Sequence, residues 1–247
     1  MLSLAGCDKL FGIDDVHLTD ARPIDASRGP TLACAGPTTT MTCRTVMPSL
    51  VADTFLDPSR ADVTLGSGDA VHIGNNTPTL LKFSLTGASA LGPTDCLGEL
   101  KLTITPAIES FGCLSPADPY CEYCAFSYEG IDLHWMTSDW IESEATYNDA
   151  KTTTPWHAGG AGLVPDDRSD VVVTTARSGT GPVVIDILAP GLAQVDPGPY
   201  VTDHLGILLT AVNGVGAFES YEGATKPVGA GCDNGPGTSL ELTICSP

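Results

Sequence analysis

The chain is poor in basic residues. Its 247 residues include 11 lysines and arginines against 30 aspartates and glutamates, which gives a net charge of −19. Such a field repels a phosphate backbone, so nucleic acid is excluded as a partner, and anionic lipid headgroups are disfavoured for the same reason. No apolar run approaches the roughly 20 residues that a bilayer-spanning helix needs. Any attachment to a membrane is therefore expected through a covalently bound lipid.

Familiar catalytic motifs are missing as well. The sequence contains neither a Gly-x-Ser-x-Gly elbow nor a His-Glu-x-x-His pair. Asp203 and His204 form a lone dyad to which no serine or cysteine nucleophile can be assigned. A carboxylate pair of the glycosidase type is defined by distance, which sequence does not give. The sequence favours a non-catalytic protein over a polysaccharide hydrolase or lyase.

Cysteine, by contrast, is plentiful, with nine residues of this type. Cysteine at this density without a redox motif indicates an oxidising compartment. The first stands at the end of Leu4-Ala5-Gly6-Cys7, which resembles the bacterial lipobox, although a chance match of four residues is the alternative. Only six residues precede Cys7, fewer than a signal peptide needs, so the true start is expected upstream. We expect residues 1–7 to be the remnant of a signal, Cys7 to carry lipid, and the protein to be exported and lipid-anchored to the bacterial cell envelope, periplasmic or at the outer surface.

The other eight cysteines can pair completely into disulfides, although sequence does not choose among the pairings. Cys34 and Cys43 bracket a short Pro-Thr loop, and Cys232 and Cys245 bracket a Gly-Pro turn, so these two pairs are expected. The other four are expected to cross-link one loop region, and a zinc site is a weaker alternative in an exported protein. These four are Cys96, Cys113, Cys121 and Cys124.

Apolar residues alternate with polar ones along much of the chain, as in strands with one buried face. The clearest sets are Leu100, Leu102 and Ile104; Ile131, Leu133 and Trp135; Val183, Ile185 and Ile187; Ile207 and Leu209; and Leu240, Leu242 and Ile244. Further strands are expected at 51–56, 70–74, 79–85, 171–175 and 216–221. With 27 glycines and 19 prolines between them, these segments predict an all-β fold, a jelly-roll β-sandwich of about ten antiparallel strands.

Three regions follow from this pattern. Residues 8–46 are rich in Asp, Pro and Thr and are expected to be an acidic tether. Residues 47–247 are expected to form the single folded domain. Within it, residues 106–130 contain three cysteines and several aromatic residues, and are interpreted as a disulfide-rich inserted loop.

Several short motifs in this domain resemble those of DNRLRE domains. They are Ala52-Asp53-Thr54-Phe55-Leu56, Val71-His72-Ile73-Gly74-Asn75, Leu80-Leu81-Lys82-Phe83, Thr137-Ser138-Asp139-Trp140-Ile141-Glu142, Gly206-Ile207-Leu208-Leu209 and Phe218-Glu219-Ser220-Tyr221-Glu222. Two features depart from the family: Tyr221 replaces its arginine, and the cysteine-rich insertion is extra. The resemblance implies a jelly roll of extracellular proteins, similar to carbohydrate-binding modules, some of which bind alginate or other polysaccharides.

Exposed aromatic residues are the usual platforms for sugar rings, with packing in the core as the alternative for each. The candidates are Tyr120, Tyr123 and Tyr128 of the insertion, with Trp140 and Trp156. Because recognition of a polyanion such as alginate normally takes arginine and lysine, a neutral glycan is favoured unless calcium bridges the charges. The expected partner is therefore an extracellular polysaccharide or matrix component. The alternative is a structural envelope lipoprotein that contacts other proteins through its insertion.

No cofactor is required by this interpretation, but a structural calcium ion is considered. Asp53, Asp57 and Asp62 near the first strand supply the hard oxygen ligands that calcium prefers. A second group in a later loop consists of Asp166, Asp167 and Asp170. Neither group has the spacing of a known calcium loop, and solvated surface charge is the alternative.

Overall fold

A computed structural model describes residue 34 and residues 41–67, 70–85, 92, 94–105, 128–157, 164–176, 182–188, 204–220 and 237–247. In these ranges the chain forms β-strands and one short 3-10 turn, Pro58–Arg60. The strands are β1 (Thr42–Val46), β2 (Ser49–Phe55), β3 (Ala70–Gly74), β4 (Thr79–Ser84), β5 (Cys96–Ile104), β6 (Gly130–Trp135), β7 (Asp149–Lys151), β8 (Thr154–Pro155), β9 (Val173–Ala176), β10 (Val183–Asp186), β11 (His204–Val212), β12 (Val215–Glu219) and β13 (Ser239–Ser246).

Two large sheets dominate the fold, and every strand pair in them is antiparallel. The four-stranded sheet has the order β1-β13-β5-β10, and the five-stranded sheet has the order β2-β4-β11-β6-β9. β12 pairs with β3, and β7 pairs with β8. The predicted all-β sandwich is confirmed. None of the helices in the described ranges is long and apolar enough to span a membrane.

The main core contains apolar side chains from both large sheets. Alternation along each strand directs every second residue inward, and the predicted sets from 100 to 104, 131 to 135, 183 to 187, 207 to 209 and 240 to 244 all lie in this one cluster. Trp135 is its largest fully buried side chain. The inward faces predicted for these strands are therefore confirmed.

The five-stranded sheet is also covered on its other side. Leu80 and Leu208 point away from the main core and pack with Trp140 and Trp156 in a second apolar cluster. These tryptophans belong to residues 137–157, which we call the cap. Because both faces of the sheet are buried, its central strands contain consecutive apolar residues, as in Ile207-Leu208-Leu209.

Two disulfides join the start of the described chain to the four-stranded sheet, Cys34–Cys96 and Cys43–Cys245. The pairs predicted from short loops, Cys34–Cys43 and Cys232–Cys245, are wrong. The prediction that Cys96 pairs within the group Cys96, Cys113, Cys121 and Cys124 is wrong as well, because Cys96 is bonded to Cys34. Strand pairing rather than loop length selects the partners, because the register of β1 and β13 places Cys43 directly opposite Cys245. Cys7, Cys113, Cys121, Cys124 and Cys232 lie outside the described residues.

The folded domain begins earlier than predicted. β1 lies within the range 8–46 that was assigned to the tether, yet it pairs along its length with β13. Its side chains are mostly exposed, so it lacks the apolar alternation that marks the other strands. Nearly all of the predicted insertion, 106–130, lies outside the described residues.

Candidate functional site: the open face of the four-stranded sheet

Within the described ranges, the outward side chains of the four-stranded sheet are exposed or half-buried, in contrast to those of the five-stranded sheet. The side chains between the inward-facing residues form a polar surface that we call the open face. It consists of Thr45 on β1; Ser239, Glu241 and Thr243 on β13; Glu99, Lys101 and Thr103 on β5; and Val184 and Asp186 on β10.

Strand register arranges these side chains in rows across the sheet. Glu241 pairs with Lys101, which pairs in turn with Asp186. In the neighbouring row Thr243 lies between Thr45 and Glu99. Directly opposite residues on adjacent strands have Cβ atoms about 4.5–5.5 Å apart, so neighbours in a row can act on one ligand group.

Lys101 lies at the centre of the charged row. Its ammonium group is 3.1 Å from a carboxylate oxygen of Glu99, with both side chains partly solvated. The hydrogen bond with Glu99 and then the charge of Glu99 raise the pKa of Lys101, with smaller contributions from Asp186 and Glu241. Lys101 therefore stays protonated well above neutral pH, surrounded by three carboxylates.

The chemistry of the open face is that of hydrogen bonding to hydroxyl groups. Carboxylates accept hydrogen bonds, the ammonium group of Lys101 donates them, and threonine hydroxyls do both. Thr243 shows this locally by donating to a carboxylate oxygen of Glu99 at 3.3 Å. An excess of carboxylates over cations repels anionic ligands, so the surface suits a neutral polyol.

The predicted aromatic platforms are elsewhere. Trp140 and Trp156 are 1% and 2% exposed and pack in the cluster beneath the cap. The indole N–H of Trp156 donates to the Thr146 carbonyl at 3.0 Å, and Lys82 covers the ring of Trp140 at 4.9 Å from its centroid. Neither ring face is open to a sugar, so stacking by these two residues is corrected to a packing role.

Tyr128 is also buried, with 4% exposure, and packs edge-on against Phe218 at 6.1 Å between ring centroids. Its predicted stacking role is corrected in the same way, because its position just before β6 directs the ring into the main core. Tyr120 and Tyr123 lie outside the described residues.

The aspartates considered for calcium are held by other contacts. Asp57 accepts hydrogen bonds from the Ser59 backbone and the Arg60 side chain, both at 2.8 Å. Asp62 accepts one from Asn148 at 2.7 Å, while Asp53 is buried on β2. Across the described ranges, no three carboxylate, histidine or cysteine side chains come together as a metal site, and this includes Asp166, Asp167 and Asp170.

Asp167 instead forms a buried hydrogen-bonded cluster that the sequence did not reveal. One of its carboxylate oxygens accepts from Ser138 Oγ and is 2.6 Å from His157 Nδ1, and the other accepts from the His157 backbone at 2.9 Å. Asp167 is fully buried, whereas the side chain of His157 is 61% exposed. The hydrogen bond that His157 donates to Asp167, followed by the negative charge of Asp167, raises the pKa of His157.

His134 lies on the same side of the five-stranded sheet as His157, but its surroundings shift its pKa in the opposite direction. Burial, and then the charge of the adjacent Arg168, lower its pKa, so the imidazole is neutral. Its Nδ1 lies 3.0 Å from the Ser169 carbonyl and donates to it in one tautomer, which leaves Nε2 to accept from Arg168. Ten residues separate His157 from Asp167, and no motif marks either contact, so the sequence offered no signal for them.

The sequence matches no protein-family model. A search of the curated proteins likewise finds none that matches this chain. The resemblance to DNRLRE domains therefore stays a prediction that rests on the short motifs alone.

Proposed function

We propose that this protein is an exported, non-catalytic module that binds a neutral extracellular polysaccharide across the open face, and that lipid on Cys7 attaches it to the cell envelope. The observation that carries the proposal is the open face itself. It is the uncovered outer surface of the sandwich within the described ranges, and its carboxylates, hydroxyls and single ammonium group match the hydroxyl groups of a sugar chain.

Two further features support the proposal. The disulfides Cys34–Cys96 and Cys43–Cys245 are typical of proteins that fold outside the cytoplasm. The core lies behind the open face, with Leu100, Leu102 and Leu242 fully buried. A face presented by rigid, well-packed strands holds its polar groups in place before a ligand arrives, which reduces the entropy lost on binding.

Affinity electrophoresis tests this function directly. The full chain is run in native gels containing hydroxyethylcellulose, xyloglucan or laminarin, with alginate as the anionic counterpart, in the presence and absence of calcium chloride. We expect retardation by at least one neutral polymer and none by alginate. Glu241→Ala should weaken binding about tenfold or more, because hydrogen bonds to charged groups contribute about 1.5–3 kcal/mol.

Glu129→Ala is the matched control, since Glu129 is exposed and lies outside the open face, where it accepts from Asn213 at 2.9 Å. This variant should bind like the parent protein. If none of the polymers changes the electrophoretic mobility of the parent protein, the proposed function is ruled out. Equal losses of polysaccharide binding in the Glu241 and Glu129 variants would show that the binding site is not on the open face.

A further inference from the structure

Both disulfides are placed at one end of the four-stranded sheet. Cys96 is the first residue of β5, and Cys245 is the penultimate residue of β13. The two are paired with each other in the register of β13 and β5, and Cys43 is paired with Cys245 on the other side. Three neighbouring strands thus carry cysteines in one row, and each bond runs from the earlier part of the chain into the sheet.

The strand that leads into this sheet is weakly held by noncovalent contacts. Among the described strands, β1 lies at the edge of the sheet, pairs only with β13, and has mostly exposed side chains. Arg44 on this strand forms an ion pair with Asp95 at 3.2 Å, and the Arg44 side chain is half-exposed. Tension on the preceding chain would break backbone hydrogen bonds of such an edge strand one after another.

The disulfides provide a different route for that tension. The Cys34–Cys96 bond connects the preceding chain to β5. The backbone N–H of Cys34 also donates to the Leu97 carbonyl at 3.0 Å. Cys43–Cys245 connects it to β13 and closes a loop of 202 residues. β5 and β13 are the central strands of their sheet, and between them they carry Glu99, Lys101 and Glu241 of the open face.

We infer that the two disulfides form a covalent load path, which transmits force from the N-terminal chain into the central strands of the open face and bypasses the backbone hydrogen bonds of the edge strand β1. For a chain pulled at both ends, the shortest covalent route runs through Cys43 and Cys245. The chain between these cysteines, which are separated by 202 positions in the sequence, then carries no tension. The use of this path to hold a bound polysaccharide rests on the proposed function, whereas the path itself does not.

Single-molecule force spectroscopy tests the load path without any ligand. The full chain receives a handle before residue 1 and another after residue 247. When oxidised, it should extend without an unfolding step from the sandwich. When tris(2-carboxyethyl)phosphine is added under load, the domain should unfold and release up to about 700 Å of chain, at 3.3–3.6 Å for each of the 202 residues.

Two double variants distinguish the bonds. Cys34→Ala/Cys96→Ala keeps the Cys43–Cys245 link and should behave like the oxidised parent. Cys43→Ala/Cys245→Ala routes the tension through Cys34–Cys96, so only the chain beyond Cys96 can lengthen, by at most about 500 Å. A sandwich unfolding step in the oxidised parent without reductant would overturn the inference, and the parent alone suffices if a variant fails to fold.

A second arm keeps the proposed function separate. The protein is held by its N-terminal handle and pulled from a surface coated with the neutral polysaccharide that retards it most in gels. Detachment of the oxidised protein without prior lengthening is the expected result. Absence of any adhesion counts against the proposed function and leaves the two-handle result as it stands.

Discussion

At the scale of single residues, the carboxylate of Asp167 is held by several contacts at once. It is fully buried and accepts hydrogen bonds from Ser138 and from both the backbone and the ring of His157. Its backbone carbonyl also accepts from Thr137 N at 2.8 Å. Because an ionised group is stable in the interior only when it is fully hydrogen-bonded, this cluster fixes the cap to the segment 164–170.

The pH dependence of stability should report this cluster. The pKa of His157 is raised above its ordinary value of 6.5 by Asp167, so the folded protein binds this proton more tightly than the unfolded chain. The resulting stabilisation is complete below about pH 6.5 and is lost as pH rises through the folded-state pKa. Between pH 5.5 and 8.5, the urea midpoint of His157→Asn should therefore fall less than that of the parent protein.

The asparagine in this variant keeps a donor for Asp167 but removes the titration, so the comparison isolates charge. His134, whose pKa is lowered, has the opposite dependence, but it is present in both proteins and its effect cancels. Asp167→Asn should show the same flattened dependence and a lower free energy of unfolding at both pH values. Parallel midpoint curves for His157→Asn and the parent would contradict the assignment.

At the scale of elements, the cap covers one outer face of the sandwich. Trp140 and Trp156 fill the outer side of the five-stranded sheet, and Lys82 anchors the cap by donating to the Trp140 carbonyl at 2.6 Å. Lys82 and Lys151 both bind Asp139. Although burial alone raises the pKa of Asp139, hydrogen bonds from Lys151 and Lys82 lower it to about 2, so this ion cluster persists in moderate acid.

Adjacent residues of the cap offer a matched test of its packing. Trp140→Ala removes a fully buried ring and should lower the free energy of unfolding by about 3–5 kcal/mol. Ile141→Ala, at a position that is 41% exposed, should change it by less than about 0.5 kcal/mol. Urea denaturation followed by tryptophan fluorescence measures both. Similar effects of the two changes, or a separate early transition of the cap in the parent, would show that the cap is not part of the cooperative core.

Strand patterns in the sequence predicted most strands of the sandwich but not the cap that covers the five-stranded sheet. The segment 70–74 matches β3 at both ends, and 79–85 matches β4 to within one residue, because each strand has an apolar face. β1 was missed because an exposed edge strand needs no such face. The cap was missed because its tryptophans are far apart along the chain and meet only over the folded sheet.

The same reasoning explains the limits for the site. Tryptophans were favoured as sugar platforms because of their chemistry, yet burial is decided by neighbours that only the fold brings together. The open face gave no motif, since only strand register brings Glu241 on β13 beside Lys101 on β5. Local signals predict which residues alternate, whereas the pairing of distant strands decides which side of the alternation meets solvent.

At the scale of the whole molecule, the disulfides bind the beginning and the end of the sandwich together. They close loops of 62 and 202 residues. Cross-links of this kind stabilise mainly by reducing the entropy of the unfolded chain, and the effect grows slowly with the length of the loop. Their contribution to stability is therefore separate from the packing of the core.

Removal of each bond should thus be costly even though the core is unchanged. Cys34→Ala/Cys96→Ala and Cys43→Ala/Cys245→Ala should each lower the free energy of unfolding by about 2–5 kcal/mol, with the larger effect for the longer loop. Guanidinium denaturation of the oxidised proteins measures the difference. Reductant should lower the stability of the parent at least as far as either variant. Denaturation curves that superimpose on that of the parent would refute this prediction.

The position of Cys245 in the chain also has a consequence for biogenesis. Cys43 leaves the ribosome 202 residues before its partner, so its native disulfide cannot form until nearly all of the sandwich has been synthesised. Cys96 becomes available first and stands beside Cys245 in the register of the sheet. The order of disulfide formation therefore matters, because Cys34 has to bond to Cys96 before Cys245 is synthesised and can compete for it. A thiol–disulfide isomerase is the class of helper that would correct the order when it fails.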